Sequence, residues 1–171
     1  DEIYDLSKID KTFLKTIQNI VKMEERLTKE SLLPQLLREA KAIQFPDKLI
    51  AELTGKSEKE IKTLREKESI LPTYQAVNTC PSASSALPYF YSSFEGKTEK
   101  LAKEKPPIII LGSGHIRIGQ GIEFDYCSVH SVWAAKEAGY KTVIINNNPE
   151  TVSTDFNTAD RLYFEPLYIE D

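Results

Sequence analysis

A glycine-rich segment at residues 112–121 is the part of the sequence best suited to bind an anion. Its glycines are Gly112, Gly114, Gly119 and Gly121, and it stands between an apolar run and a segment of helical pattern. Glycine lets the backbone approach a ligand closely, and the first turn of a helix offers unpaired N–H groups. The placement of the segment therefore predicts phosphate binding.

Two common nucleotide-binding motifs do not fit this segment. The third glycine of the dinucleotide fingerprint would fall at position 117, which is Arg. The acid of that fingerprint would follow the second strand, where the chain has Asn146, Asn147 and Asn148. A P-loop needs Gly-Lys-Ser/Thr after the strand, and the segment has none. The sequence therefore argues against NAD, FAD and P-loop sites.

The residues after 107 have the pattern of an α/β domain. The continuous apolar run at 108–111 is typical of a parallel strand that is covered on both faces. The further expected elements are a helix at 124–138 ended by Gly139, a buried strand at 142–145 and a strand at 161–164. They would form the opening βαβ unit of a doubly wound, Rossmann-like sheet, with 108–111 and 142–145 paired in parallel. About sixty-five residues are too few for a whole domain of this kind, so we expect it to be incomplete.

The first seventy residues have the pattern of a small all-helical unit. Apolar residues three or four apart predict a helix over 6–27, with Ser7 or Asp10 as its cap. A second helix is expected at 34–44, where Pro34 suits the first turn.

Two shorter helices are expected to complete this unit. One spans about 46–53, and Gly55 is placed to end it. Ser57 followed by Glu60 matches a capping box, which would open the other.

Residues 70–93 have a different composition, in which prolines recur and aromatic residues follow from Tyr89. Helix is not expected there, and the aromatic residues favour a segment strapped across other structure. The polar stretch at 95–106 is expected to be a linker. The predicted domains are therefore a helical one at 1–94 and an α/β one at 107–171.

The composition of the 171 residues excludes several classes of protein. The formal net charge of −4 and the pI near 5.4 give no bulk attraction to nucleic acid or an anionic membrane. Cys80 and Cys127 are too few for a disulfide framework or a metal site, so free thiols in a reducing compartment are expected. No apolar stretch is long enough for a membrane span, and no signal peptide is visible.

Several stretches of the sequence strongly resemble the large subunit of carbamoyl-phosphate synthetase. In the α/β part they are GSG at 112–114, RIGQGIEFDYC at 117–127, NPETVSTD at 148–155 and RLYFEP at 161–166. In the preceding part they are IDKTFL at 9–14, LP at 71–72, NTC at 78–80 and YFYS at 89–92. The resemblance therefore extends over nearly the whole chain.

This resemblance implies an internal piece of a longer ligase. Residues 121–127 and 148–155 resemble the second half of the large subunit, which phosphorylates carbamate, and would open its pre-ATP-grasp domain. The residues before them resemble the helical oligomerisation domain between the two halves. The parent would make carbamoyl phosphate from bicarbonate, ammonia supplied from glutamine and two ATP, for arginine or pyrimidine supply.

The resemblance also implies cofactors and partners. The parent would use ATP with Mg²⁺ or Mn²⁺ in ATP-grasp cores that lie outside this chain, so we expect no catalytic residue, cofactor or metal here. The piece is expected to be inactive alone and cytoplasmic. Its expected partners are a small glutaminase subunit and, through the helical domain, further copies of the large subunit, with neither nucleic acid nor membrane.

The resemblance assigns Arg117, Glu123 and Glu150 to the internal route that carries carbamate between two active sites. An arginine can pair with this anion, whereas an ionised carboxylate repels it, so the two glutamates are expected to be paired or to act as gates. We expect all three at the carboxyl edge of the strands, on one side of the sheet. The alternative is that Arg117 and Glu123 only form an ion pair between loop and helix.

Five neighbouring residues have structural interpretations. His115 stands where the family usually has Pro, and we interpret it as a loop substitution. Asp125 is expected to interact favourably with the dipole of the helix in whose first turn it lies, and Asp155 is expected to cap a short helix. Tyr126 and Trp133 are expected to serve packing and not ligand binding.

An alternative of another class is a helical interaction or DNA-binding module fused to a nucleotide-binding α/β domain. Residues 50–55 followed by 57–61 resemble a helix-turn-helix. The second of these helices alternates Glu and Lys and offers few Arg or Asn to base edges, which argues against DNA.

Overall fold

A computed structural model describes residues 2–77, 89–98 and 105–170 of the chain. The chain divides into two compact units, Asp1–Leu71 and Pro72–Asp171. The first unit is all-helical, and the second contains a five-stranded sheet with one long helix. The predicted fold class, a helical part followed by an incomplete α/β part, is confirmed.

Five helices form the first unit: α1 (Glu2–Ser7), α2 (Lys11–Lys29), α3 (Pro34–Ala42), α4 (Asp47–Thr54) and α5 (Glu58–Lys67). Pro34 begins α3, and Gly55 follows α4 in the left-handed conformation with φ of 67°. Ser57 and Glu60 form both halves of a capping box before α5. These three sequence predictions are confirmed.

The helix predicted over residues 6–27 is instead two helices. The chain breaks at Lys8, whose φ is 58°, and resumes as α2 at Lys11. Asp10 is the cap of α2, because its carboxylate accepts a hydrogen bond from the backbone N–H of Thr12 at 2.8 Å. The apolar period could not reveal the break, since Leu6 and Ile9 continue it across the gap.

Three charged side chains are buried in the core of the helical unit. Asp47 at the start of α4 accepts a hydrogen bond from Nε of Arg65 at 3.0 Å, and its carboxylate lies 3.3 Å from Nζ of Lys41. The lysine also donates to the carbonyl of Phe45, and the arginine donates to the carbonyl of Ile70. Buried charges are tolerated when they are paired and hydrogen-bonded, so this cluster joins α3, α4 and α5.

In its described residues the second unit has five strands: β1 (Thr73–Ala76), β2 (Tyr89–Ser93), β3 (Ile108–Leu111), β4 (Thr142–Ile145) and β5 (Arg161–Tyr163). Their order in the sheet is β1-β2-β5-β4-β3. β3 pairs in parallel with β4, and β4 pairs in parallel with β5. The connection from β3 to β4 contains a 3₁₀ turn (Ile122–Asp125) and the helix α6 (Tyr126–Glu137). The predicted βαβ opening and its third strand are therefore confirmed.

The strands β1 and β2 were not predicted, and they lie within the range that the sequence assigned to the helical domain. β2 pairs in parallel with β5, and β1 pairs antiparallel with β2. Ser92 donates its hydroxyl to the buried carboxylate of Glu165 at 2.7 Å, and its backbone N–H also donates to Glu165. These partners lie 73 positions apart, so no local pattern reports the pairing. The helical unit therefore ends near residue 71, and part of the predicted linker at 95–106 lies outside the described residues.

Helix α6 covers one face of the sheet, where Val132 packs with Ile110, Ile144 and Leu162. On the opposite face, alternate side chains of β3 and β4 border an open cavity of about 590 Å³. Ile109, which borders this cavity, is 60% exposed. The run at 108–111 was predicted to be covered on both faces, and in the described part of the chain it is covered on one.

Candidate functional site at the carboxyl edge of the sheet

The glycine segment begins where β3 ends. The backbone N–H of Gly112 donates to the carbonyl of Ile145 at 2.8 Å, which extends the β3–β4 pairing by one residue. A side chain at position 112 would overlap the side chain of Asn146, so the close approach requires glycine. The segment therefore has the strand–loop–helix placement that the sequence predicts, and phosphate binding stays a prediction.

Asn146, directly after β4, is a fully buried side chain that organises this edge. Its Oδ1 accepts hydrogen bonds from the backbone N–H groups of Gly114 and Asn147, each at 3.0 Å. Its Nδ2 donates to Oγ of Ser153 at 3.0 Å. The sequence interpretation treated this residue only as the place of a missing ribose-binding acid. The sequence signal that could have identified its role is the presence of a polar residue directly after a buried strand.

Asp125 joins the connection after β3 to the connection after β4. Its buried Oδ2 accepts hydrogen bonds from Oγ1 of Thr151 and the backbone N–H of Ser153, each at 2.7 Å. Its Oδ1 is buried and has no hydrogen-bond partner among the described residues. The carboxylate makes no capping hydrogen bond to α6, so its observed contacts are with residues 151–153 and not with the helix start.

Glu123 and Arg117 are exposed residues of the connection between β3 and α6. The carboxylate of Glu123 accepts a hydrogen bond from the backbone N–H of Gly121 at 2.8 Å. The backbone N–H groups of Gly121 and of Glu123 itself lower the pKa of this carboxyl below its ordinary value. In the regions that the structure describes, no ion pair joins Arg117 to Glu123.

Glu150 is an exposed residue of the connection that follows β4. Its backbone N–H donates to Oδ1 of Asn148 at 2.9 Å, and the next residue, Thr151, donates to Asp125. Because β3 and β4 are parallel, their following connections leave the same edge of the sheet. Between residues 105 and 170, no side-chain hydrogen bond or ion pair joins the charged groups of Arg117, Glu123 and Glu150. Their segments lie together, and convergence of the charged groups stays a prediction.

The outer face of α6 carries an exposed aromatic row. Tyr126 and Trp133 are 60% and 49% exposed, so neither packs inside the unit as predicted. The ring of His130 lies between them, with its centroid 3.9 Å from Tyr126 and 4.9 Å from Trp133. The sequence could not distinguish this row from a packed one, because α6 also carries apolar residues on its sheet-facing side.

The remaining single-residue predictions have mixed outcomes. His115 is an exposed loop residue, as expected of a loop substitution. Asp155 follows the 3₁₀ turn Val152–Thr154 and so stands at its end, not at its start, where a capping Asp was expected. Cys127 is an exposed free thiol, and Cys80 lies outside the described residues.

The described residues contain neither a cluster suited to a metal ion nor a helix suited to a membrane. Within the ranges 2–77, 89–98 and 105–170, no group of three His, Cys, Asp or Glu side chains is arranged to hold a metal ion. No helix in those ranges has the length and apolar character needed to cross a membrane.

Two family descriptions match the two units of the chain. Residues 104–171 match the carbamoyl phosphate synthase preATP-grasp domain. Residues 1–69 match the oligomerisation domain of the carbamoyl-phosphate synthetase large chain. The second match ends close to the boundary between the two compact units of the structure.

Similar proteins match over the full length of the chain. A carbamoyl phosphate synthase large chain from Methanosarcina barkeri is 55% identical over 99% of this chain. Those from Caldanaerobacter subterraneus subsp. tengcongensis and Lachnoclostridium phytofermentans are each 51% identical over 100% of it. In all three cases the chain spans only 16% of the length of the relative.

Proposed function

The chain belongs to the carbamoyl phosphate synthase large-chain family, and we propose that it joins two working parts of such a protein. The helical unit serves self-association of the large chain. The α/β unit opens the pre-ATP-grasp domain of the half that phosphorylates carbamate. The identity of more than 50% to large chains over the whole length supports this assignment.

The parent protein makes carbamoyl phosphate in the cytoplasm from bicarbonate, ammonia from glutamine and two ATP. It supplies arginine or pyrimidine synthesis, and a small glutaminase subunit is its partner. ATP and Mg²⁺ or Mn²⁺ bind in ATP-grasp cores outside this chain, so the chain alone is inactive. A DNA-binding role is less well supported, because Arg65 of α5 is buried against Asp47 and cannot reach a phosphate.

Within that protein, the carboxyl edge of β3 and β4 forms part of the route of carbamate. The hydrogen bonds of Asp125 to Thr151 and Ser153 carry this proposal, because they hold the segments of Glu123 and Glu150 together. Arg117 is the cation of the edge that pairs with the passing anion. Glu123, with its lowered pKa, stays ionised at neutral pH and repels carbamate from its side, which suits a gate.

The test is Arg117→Ala in a full-length large chain with its small subunit. Overall carbamoyl phosphate synthesis should fall by about tenfold or more, as expected for the loss of a charged hydrogen bond. The two partial reactions, bicarbonate-dependent ATP hydrolysis and ATP synthesis from carbamoyl phosphate and ADP, should keep their rates.

Lys136→Ala is the matched control, because it removes an exposed cation from the last turn of α6, at the other end of the helix. It should leave all three rates unchanged. Loss of ATP synthesis in Arg117→Ala would place this residue in the second active site. Full overall synthesis in that variant would exclude it from the route.

A further inference from the structure

We propose that an exposed apolar stripe on α2 is the surface through which two copies of this chain associate. The stripe consists of Phe13, Ile17 and Ile20, and Leu6 and Ile9, which precede the helix, are exposed as well. Self-association, proposed above for the helical unit, is the premise of this assignment.

The stripe continues the side of α2 that packs within its own unit. Met23 and Leu27 are the buried residues of α2, and Leu27 lies one heptad after Ile20 on the same side of the helix. Phe13 and Ile17, nearer the amino end, are 66% and 54% exposed. The apolar side of α2 is therefore covered in its carboxyl half, and the described residues leave its amino half open.

The spacing of the stripe is the spacing of paired helices. Phe13 and Ile20 are one heptad apart within α2, and Ile17 lies between them. Apolar residues that alternate at intervals of three and four form the seam between two associated helices. An exposed row of large apolar side chains marks an interaction site, since isolated proteins seldom expose one.

A second copy of the chain is the occupant that the observations favour. The stripe lies in residues 1–69, which match an oligomerisation domain, and a two-fold contact lets the same surface serve both copies. The charged residues of α2 are Lys11, Lys15, Lys22, Glu24, Glu25, Arg26 and Lys29. Because basic residues outnumber acidic ones, two such helices repel each other electrostatically. The apolar stripe must therefore drive the contact, and added salt should strengthen it by screening the repulsion.

The test is sedimentation of the 171-residue chain over a range of concentrations, compared with Phe13→Asp and Ile17→Asp. The unchanged chain should show a concentration-dependent dimer, which tightens with added salt. Each substitution should weaken the dimer by about tenfold or more, because it places a charge in an apolar contact. Circular dichroism should show an unchanged helical content, since both side chains are exposed in the single copy.

Leu33→Asp is the matched control, because Leu33 is 63% exposed in the same unit and lies outside α2. It should leave the dimer intact. A dimer that survives Phe13→Asp and Ile17→Asp would refute the stripe as the contact surface but would still support self-association. Equal weakening by Leu33→Asp would show unspecific apolar association, which also overturns the stripe. A chain that stays monomeric throughout would overturn both the stripe and self-association of this piece.

Discussion

Asp125 and Ser153 lie 28 positions apart, yet the carboxylate of Asp125 accepts the backbone N–H of Ser153 at 2.7 Å. Asp125→Ala should lower the free energy of unfolding of the α/β unit by about 1–3 kcal/mol, because it leaves that buried N–H without a partner. Asp125→Asn should cost less, since its amide oxygen can still accept this bond. Both losses of unfolding free energy can be measured by urea unfolding, monitored by the fluorescence of Trp133, the one tryptophan of the chain.

Asp155→Ala serves as the control for this prediction, because Asp155 is an exposed acid only two positions after Ser153. Its effect should stay within about 0.5 kcal/mol. Equal losses in Asp125→Ala and Asp155→Ala would mean that the buried hydrogen bonds of Asp125 do not stabilise the unit.

The close approach of Gly112 to Asn146 gives a second prediction. Gly112→Ala should destabilise the unit by about 1–3 kcal/mol, because the added methyl group overlaps the Asn146 side chain. Asn146→Ala removes the overlapping amide group and leaves only the overlapping Cβ, so the double variant should lose less than the sum of the two single losses.

Gly119→Ala is the control for this coupling. Gly119 has a φ of 92° and open space around its Cβ position, so its alanine variant suffers backbone strain alone. The loss of unfolding free energy in Gly119→Ala should therefore add to the loss in Asn146→Ala. If the Gly112 and Asn146 losses were also additive in urea unfolding, the two residues would not be in contact.

The sequence was most informative where interactions are local. Pro34, Gly55 and the Ser57–Glu60 box act within one turn of a helix, so their patterns could be recognised before the fold was known. The pairing of β3 with β4 could also be predicted, since two buried apolar runs flanking a helix favour a parallel crossover.

Long-range contacts explain what could not be predicted. β2 is stabilised by β5 and Glu165, and the bonds of Asp125 and Asn146 depend on how two connections fold over each other. Asp125 was therefore assigned to the helix dipole, a local role, when its partners lie in another connection. Exposed stripes such as that of α2 were likewise indistinguishable from core, because periodicity reports a shared side but not what covers it.

The buried charges of the helical unit give a third prediction. Asp47→Ala should destabilise this unit by about 3–5 kcal/mol, because Lys41 and Arg65 would then lie buried without their carboxylate. Asp5→Ala removes an exposed partner of Lys8 and should cost close to nothing. Urea unfolding monitored by circular dichroism, a signal dominated by the helices, should distinguish the Asp47→Ala variant from the Asp5→Ala variant. Similar midpoints for both variants would show that the buried cluster adds no stability.

Asp160 gives a prediction about pH. Partial burial acts to raise the pKa of its carboxyl, but hydrogen bonds from the backbone N–H of Thr142, from Lys141 and from the Thr142 hydroxyl together outweigh it and lower the pKa. A lowered folded-state pKa contributes stability above the unfolded-state pKa of about 3.9, and this contribution is lost as the pH falls further. The difference in unfolding free energy between the unchanged chain and Asp160→Asn should therefore be constant above about pH 5 and shrink below about pH 4. A difference that grows on acidification would contradict the lowered pKa.

The chain alone should not bind ATP tightly, although its glycine segment has the placement of a phosphate loop. Three backbone N–H groups of this segment already donate to side chains of the protein: those of Gly114, Arg117 and Gly121 donate to Asn146, Gln120 and Glu123. The last partner is an ionised carboxylate, which would repel a phosphate from the loop.

Calorimetry with Mg-ATP should therefore give a Kd weaker than about 100 µM. Glu123→Ala should tighten binding only modestly, because it frees one N–H group but supplies no lysine for the phosphates. Micromolar binding by the unchanged chain would mean that the loop rearranges around the nucleotide, and the inactivity proposed for this piece would then have to be abandoned.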